Sequence, residues 1–491
     1  MTTLLKGQKA LPVAGIVILN LINAYLILLN KGAWYFPVIV FMGLVYISIG
    51  FFVVPTAFGK VKELFSELSW VHFLWILMFT TPFMVTMRSV YQLTENAVDT
   101  IRLIRITIVL TVATIIFLVM LKKRGVLRKL FRGLIGVMAF YGMIIFSSGF
   151  YSPFPLLTFW KAFEVIISIL LIALILSNPF ALLEVRKLIN LIWILLSVLM
   201  FIVWIEALLF PVLAFRNLGS INIQLRGILP IVHPNRLGQI GAILGVVCLC
   251  RVLQSKQRWA AALYSWLLFL SMATVILAHA RVSIVAFPVA AAVVLLLHKR
   301  VGWIGFTFLL SIGLLLIPEV FDYISRFFVR GQDIDLFMSM SNRTNFWKFA
   351  WNRIQQSPVY GYGFYAGHRI INAPYGEYGS NMDNTFVEVL LDVGIIGFVP
   401  IVIAFIGAWK GIISCISKQS LGEPSEQWKS LTIELIGVMV IITFRSLTGP
   451  TFQMNDMNLL IFLSILAYAQ KRRNLRKGEA VIGNVYSSPY P

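Results

Sequence analysis

Long apolar runs limit what this chain can fold into. A membrane-spanning helix needs about 20 mainly apolar residues, and we count about fourteen runs that approach this length. They lie near 10–29, 33–54, 70–90, 103–121, 133–149, 163–178, 188–213, 238–253, 260–278, 282–297, 301–318, 386–409, 429–447 and 457–470. Because only 12% of the residues are charged, about half the usual share, one soluble core is excluded. We expect an all-α polytopic membrane protein with one large ordered extracytoplasmic loop.

Basic residues alternate between the loops. Cytoplasmic loops of membrane proteins are rich in Lys and Arg. If the N-terminus is cytoplasmic, every second loop carries such residues, from Lys60 and Lys62 through the cluster at 122–132 to Lys471–Lys477. This pattern predicts that both termini are cytoplasmic. It also explains the net charge of +21 without a nucleic-acid partner.

The same pattern divides the chain into four parts. We predict helices 1–11 with short loops over 1–318, an extracytoplasmic loop domain over 319–385, helices 12–14 with a basic cytoplasmic end over 386–477, and a mobile tail over 478–491. A loop longer than roughly 15 residues is usually functional or disordered. Aromatic side chains are rare in disordered segments and frequent in this loop, so we expect it to be folded.

Cations also occur on the predicted outer side, where topology does not require them. Isolated arginines such as Arg88, Arg102, Arg216 and Arg445 are explained by snorkelling to headgroups. Arg281 is different because it lies in a connection of a few residues between two apolar runs, where an ionisable group is costly and usually functional. The planar guanidinium fork suits a diphosphate.

Four segments in order carry a family resemblance. They are "LRG…VHPNRLGQIGA" from Arg226, "AHARVS" with Arg281, "RTNFWKFAWNRIQQSPVYGYGF" from Arg343, and "MDNTFVEVLLDVGIIGF" with Asp383. Over about residues 220–400 the chain resembles the O-antigen ligase and polymerase superfamily. The first 200 residues agree with it only in being polytopic.

This resemblance implies a membrane-embedded C-class glycosyltransferase at the outer face of the bacterial inner membrane. The implied substrate is an oligosaccharide on undecaprenyl diphosphate. The other implied partners are the bilayer and chain-length regulator or flippase proteins. Ligases of the superfamily carry a His-Asn pair where this chain has Asp383 and Asn384, which favours the polymerase branch over transfer to lipid A core.

The site residues follow from the chemistry of the transfer. Fixed cations would stabilise the leaving diphosphate, and we assign this role to Arg226, Arg281 and Arg343, helped by Arg236 and His233. The acceptor hydroxyl needs a base, for which Asp383 is the first candidate and His368 the second. The expected sugar-binding or orienting residues are Asn384, Asn235, Trp347 and Glu388.

Several alternatives stay open. Asp383 and Asn384 are also typical helix caps, and Trp347 with Trp351 could form a packing face. Glu388 and Asp392 would pair with arginines or face a wet groove. The D-x-D triplet at Asp333–Asp335 imitates a metal site, but the arginines make an ion redundant and we expect no cofactor. A transporter or flippase would instead need a pair of broken helices, which the uninterrupted runs do not suggest.

Overall fold

A computed structural model of the chain describes most of its sequence. The described residues are 59, 61–85, 99–122, 125–217, 223–306, 316–319, 322, 325, 343–372, 382–417, 426–452 and 454–476. The predicted spans 10–29 and 33–54, the tail 478–491, the D-x-D triplet and much of the loop 319–385 lie outside these ranges.

The described residues are almost entirely helical, with one two-stranded hairpin. The helices are α1 (Trp70–Thr80), α2 (Thr100–Lys122), α3 (Gly125–Leu130), α4 (Gly133–Ser147), α5 (Pro155–Leu176), α6 (Ala181–Leu209), α7 (Pro211–Ala214), α8 (Pro234–Gln254), α9 (Arg258–Leu277), α10 (Arg281–Leu297), α11 (Arg343–Gln356), α12 (Gly367–Asn372), α13 (Thr385–Ser417), α14 (Glu426–Thr448) and α15 (Met457–Arg476). The strands are β1 (Phe215–Asn217) and β2 (Ile223–Leu225), which pair antiparallel.

Eight of these helices are long and apolar enough to cross a membrane. They are α2, α4, α5, α6, α8, α9, α13 and α14. The helix α10 and the segment Trp70–Phe83 are apolar but shorter, and in α15 the basic residues Lys471, Arg472 and Arg473 fall inside the helix. The predicted all-α membrane fold is therefore confirmed. The total of about fourteen spans stays a prediction.

The chain divides into two compact units. The first unit takes its described residues from the ranges up to 67, 193–334 and 436–441, and the second from 68–192, 335–435 and 442–491. In the first unit, α8 is buried along nearly its whole length. Glycines allow its close packing, because a Cβ added at Gly241 would lie 2.8 Å from the carbonyl oxygen of Ser271 in α9.

In the second unit, α4, α5, α13 and α15 enclose an apolar core. Polar side chains inside it form hydrogen bonds with one another, as buried polar groups require. Ser168 of α5 donates to Asn455 at 3.0 Å, and Asn455 donates to Thr81 at 2.8 Å. These bonds connect distant parts of the sequence.

The helix α13 is interrupted at Val393 and Gly394, where the backbone is not helical. The N–H groups of Ile395 and Ile396 donate to the carbonyls of Pro358 and Val359, at 2.9 and 3.4 Å. The carbonyls of Leu391 and Asp392 accept from the N–H groups of Tyr362 and Gly363, at 3.0 and 2.7 Å. We call these four backbone bonds the clasp. It contradicts the expectation of an uninterrupted span over 386–409.

Glycine is required at the interruption. Gly394 has φ +59° and ψ −162°, a combination that is essentially restricted to glycine. A Cβ at this position would lie 2.2 Å from the carbonyl oxygen of Val359. The non-helical backbone inside this helix is tolerated because the loop segment 358–363 supplies the missing partners.

Candidate functional site

The helix α11 packs against the start of α13. Ala350 and Ile354 of α11 form a buried cluster with Met382 and Leu391. The indole Nε1 of Trp347 donates to the carbonyl of Met382 at 2.8 Å. Trp347 thus fixes the backbone next to Asp383, while Trp351 is exposed. The contacts of Trp347 favour the packing interpretation over sugar stacking.

Asp383 lies at this fixed point and pairs with an arginine. Its Oδ2 is 3.0 Å from Nε of Arg343, and the two side chains are 37% and 22% exposed. Asp383 has φ +51°, in the left-handed region that Asp tolerates better than most residues. The helix cap is instead Asn384, whose Oδ1 accepts from the N–H groups of Phe386 and Val387 at 3.0 and 3.2 Å. The cap leaves the Asp383 carboxylate accessible.

Five residues further along α13 is a second acid–base pair, and it is fully buried. Oε1 of Glu388 is 3.3 Å from Nδ1 of His368, and both side chains are 0% exposed. The imidazole also meets the edge of the Tyr365 ring, with 4.9 Å between the ring centroids. Burial, assisted by the neighbouring Arg369, lowers the pKa of His368 to about 3. His368 is therefore neutral at ordinary pH but enclosed by protein.

Asp392 binds the backbone of the loop. Its Oδ2 accepts from the N–H of Tyr365 at 2.8 Å and its Oδ1 from the N–H of Gly367 at 2.9 Å. Glu388 and Asp392 do not face a wet groove, and of the two only Asp392 is within electrostatic range of a described arginine, Arg369. Both are buried, and they contact a histidine and backbone N–H groups because the loop segment folds directly onto them.

The same loop segment is hydrogen-bonded to α5 and to the connection between α4 and α5. The hydroxyl of Tyr151 donates to the carbonyl of Tyr360 at 2.6 Å, and burial raises the pKa of Tyr151 to about 12. The N–H of Phe364 donates to Ser148 at 2.9 Å, and its carbonyl accepts from Thr158 at 2.9 Å. The loop segment 360–364 is therefore folded at this point.

The first unit carries the other predicted cations. Arg226 follows β2 directly, and its Nε donates to the carbonyl of Leu213 at 2.9 Å. Arg281 begins α10 after a buried turn at Ala278–Ala280. Gln224 of β2 donates to the carbonyl of Ala278 at 3.2 Å. This bond holds the segments with Arg226 and Arg281 against each other.

The remaining predicted residues of the first unit lie at the start of α8. His233 is the N-cap, and its Nδ1 accepts from the N–H of Asn235 at 3.2 Å. Arg236 is in the same first turn. Glu206 of α6 accepts from the N–H groups of Ile228 and Leu229 at 2.8 and 2.6 Å.

Sequence reasoning missed a charged cluster on α2 and α5. Arg105 donates to both oxygens of Glu164, from Nε at 3.0 Å and from Nη2 at 2.9 Å. Lys161 donates to the same carboxylate at 2.9 Å. Lys161 and Glu164, three residues apart inside an apolar run, were the available signal, because ionisable groups are rare within spanning helices.

The structure thus places the predicted residues in two groups. Arg226, His233, Asn235, Arg236 and Arg281 belong to the first unit. Trp347, Arg343, His368, Asp383, Asn384 and Glu388 belong to the second. Arg343 is the partner of Asp383, which gives it a role that we did not predict.

The fold and these groups define a polytopic membrane protein with an accessible carboxylate–guanidinium pair at the start of a spanning helix. Residues 266–402 match the family model described as O-antigen ligase, which confirms the resemblance to the O-antigen ligase and polymerase superfamily. A comparison with curated proteins gave no match. The match supports glycan processing of the ligase or polymerase type. The matched range includes Arg281 and all the site residues of the second unit, whereas Arg226, His233, Asn235 and Arg236 precede it.

Proposed function

We propose that the protein polymerises oligosaccharide repeat units carried on undecaprenyl diphosphate, at the outer face of the bacterial inner membrane. The observation that carries the proposal is the pair of Asp383 and Arg343, 3.0 Å apart and partly exposed. It lies within the matched range 266–402. A general base must be reachable by its substrate, and Asp383 meets this condition while the buried His368 does not.

The proposed reaction is a single glycosyl transfer. The acceptor hydroxyl oxygen attacks the anomeric carbon of the growing chain, and the bond from that carbon to the diphosphate oxygen breaks. The electron pair of this bond leaves with undecaprenyl diphosphate. The proton of the acceptor hydroxyl passes to the Asp383 carboxylate, and the guanidinium of Arg343 holds that carboxylate in place.

The cations of the first unit would stabilise the leaving group. Diphosphate is a good leaving group once its charge is neutralised, so cations matter more than a proton donor, and one such donor is typically worth about 3–4 kcal/mol of barrier. Arg226 and Arg281 fit this role because the hydrogen bond between Gln224 and Ala278 holds their segments together. His233 and Arg236 would assist them.

The test is an assay of the purified full-length protein with a lipid-linked oligosaccharide in the presence of a chelator. We expect longer glycans on gels and the release of undecaprenyl diphosphate. Asp383→Asn should lower the rate by about 100-fold or more, since a positioned base contributes 10²–10⁴. Glu319→Gln, which changes an exposed carboxylate, should have no effect.

Three outcomes would contradict the proposal. Normal turnover by Asp383→Asn would show that Asp383 is not the base. Normal turnover by Arg281→Ala would show that Arg281 is not the main diphosphate ligand. Movement of the lipid-linked substrate across the membrane with no new glycosidic bond would indicate a transporter. Transfer of one glycan to a foreign lipid or protein acceptor, without chain growth, would indicate a ligase.

A further inference from the structure

A second cationic site surrounds Tyr365 in the second unit. The Nζ of Lys161 lies 5.5 Å from the centroid of the Tyr365 ring, and Cζ of Arg369 lies 5.1 Å from it. Cations over an aromatic face are attracted by its quadrupole. Lys161 and Arg369 therefore bring two positive charges to the Tyr365 ring.

The ring itself is held in place by the backbone. Tyr365 has φ +63°, an uncommon conformation for a residue with a side chain. The bond from its N–H to Asp392 fixes this conformation. Such strained residues cluster at binding sites, and Tyr365 stands at the junction of the loop with α5 and α13.

The carboxylates around this site already have partners. Glu164 is the carboxylate that Arg105 and Lys161 share. Asp392 is within electrostatic range of Arg369, but both of its oxygens already accept backbone N–H groups. Glu388 contacts His368.

Arg369 has an unused donor. Its Nε is buried and makes no hydrogen bond with any described residue. Buried donors are normally satisfied, and an acceptor bound here would satisfy this one. Guanidinium groups bind phosphate oxygens well, and Lys161 would add a second charge.

We propose that Arg369 and Lys161 bind the diphosphate of a second lipid carrier, the one that bears the acceptor unit. This inference rests on the proposed function. In polymerisation the acceptor repeat unit stays on its own carrier, so the reaction involves two diphosphates at once. Arg226 and Arg281 serve the leaving group, and the cations around Tyr365 serve the carrier that keeps the product.

The test counts carriers on the intact protein. Native mass spectrometry of the full chain with undecaprenyl diphosphate, without glycan, should show two bound molecules. Arg369→Gln should show one, and its affinity at the lost site should fall by about 10-fold or more, as expected when a charge-assisted hydrogen bond is removed. The matched control is Lys348→Gln, an exposed cation of α11, which should still bind two.

A second variant separates binding from folding. Lys161→Met removes the charge but also leaves Glu164 with one cation fewer. Lys161→Arg keeps the charge, and this variant should bind two carriers. In the polymerisation assay, Arg369→Gln should raise the Michaelis constant for the acceptor by about 10-fold and leave that for the donor unchanged.

Several results would overturn the inference. They are one carrier per wild-type chain, two carriers on Arg369→Gln, a raised Michaelis constant for the donor instead of the acceptor, and displacement of one carrier by excess phosphatidylglycerol. The last result would indicate a site for ordinary lipid headgroups. Polymer formation with a single bound carrier defeats this inference alone, whereas two bound carriers without polymer defeat the proposed function.

Discussion

The carboxylates at the beginning of α13 and in its interior lie in opposite environments. At the beginning, Asp383 is 37% exposed and faces a permanent cation, Arg343. In the interior, Glu388 and Asp392 are buried and face a histidine and backbone N–H groups. A charged pair near water costs little to maintain, but burying a charge is expensive. The exposed region therefore fits the proton transfer that we propose for Asp383, and the buried region holds the loop.

The largest effect in the buried region should come from Gly394→Ala. The new Cβ would lie 2.2 Å from the Val359 carbonyl oxygen, and the backbone conformation is strained for any side chain. We expect a loss of more than about 3 kcal/mol of unfolding free energy, measured by thermal unfolding in detergent. Gly302→Ala, where nothing lies within 4 Å, is the control. Equal stability of the two variants would show that the clasp does not fix the loop.

A smaller effect should appear as a pH dependence of stability. The pKa of His368 is about 3 in the folded protein against an ordinary value of 6.5. At pH values between these two pKa values, His368 binds a proton in the unfolded chain but not in the folded chain. Stability should therefore fall as the pH drops from 6.5 toward 3, by up to about 1.4 kcal/mol per pH unit.

The variant His368→Gln isolates this contribution, because it removes the titrating ring. The slope of the unfolding temperature between pH 6.5 and 4.5 should be shallower in this variant than in the wild type. His298→Gln, at the end of α10, should keep the wild-type slope. Identical slopes in all three proteins would mean that His368 is not protected from protons in the folded state.

The smallest effect concerns the connection between the two regions. Trp347→Phe keeps an aromatic ring but removes the hydrogen bond to the Met382 carbonyl. We expect a loss of about 1 kcal/mol of stability and a lower turnover rate, since Asp383 is the next residue. Trp351→Phe, at an exposed position of the same helix, is the matched control. A loss of stability with unchanged turnover would show that the position of Asp383 does not depend on this bond.

The sequence allowed the class of fold to be predicted, because apolar runs such as 103–121, 133–149 and 386–409 are long enough to span a bilayer. The motif segments likewise predicted the superfamily. The break in α13 was missed because "LLDVGIIGF" reads as one apolar run. Its partners lie about 30 residues earlier, and hydropathy does not report such distant backbone pairing.

The site was predicted in part. Asp383 and Arg343 were chosen for separate roles, and their contact depends on how α11 packs against α13. Glu388 was expected to pair with arginines or to face a wet groove, because spacing gives the face of a helix but not what covers it. The contact between Lys161 and the Tyr365 ring was not predicted, because the two residues are about 200 positions apart in the sequence and only the fold brings them together.

The clasp also has a consequence for how the protein is made. The segment 358–363 is synthesised before 391–396, so the groups that complete α13 already exist when that helix emerges from the ribosome. Without them, two carbonyls and two N–H groups would enter the bilayer without partners, at a cost of several kcal/mol for each. Stable insertion of α13 is therefore coupled to docking of the segment 358–363. Deleting that segment should impair membrane integration as well as activity.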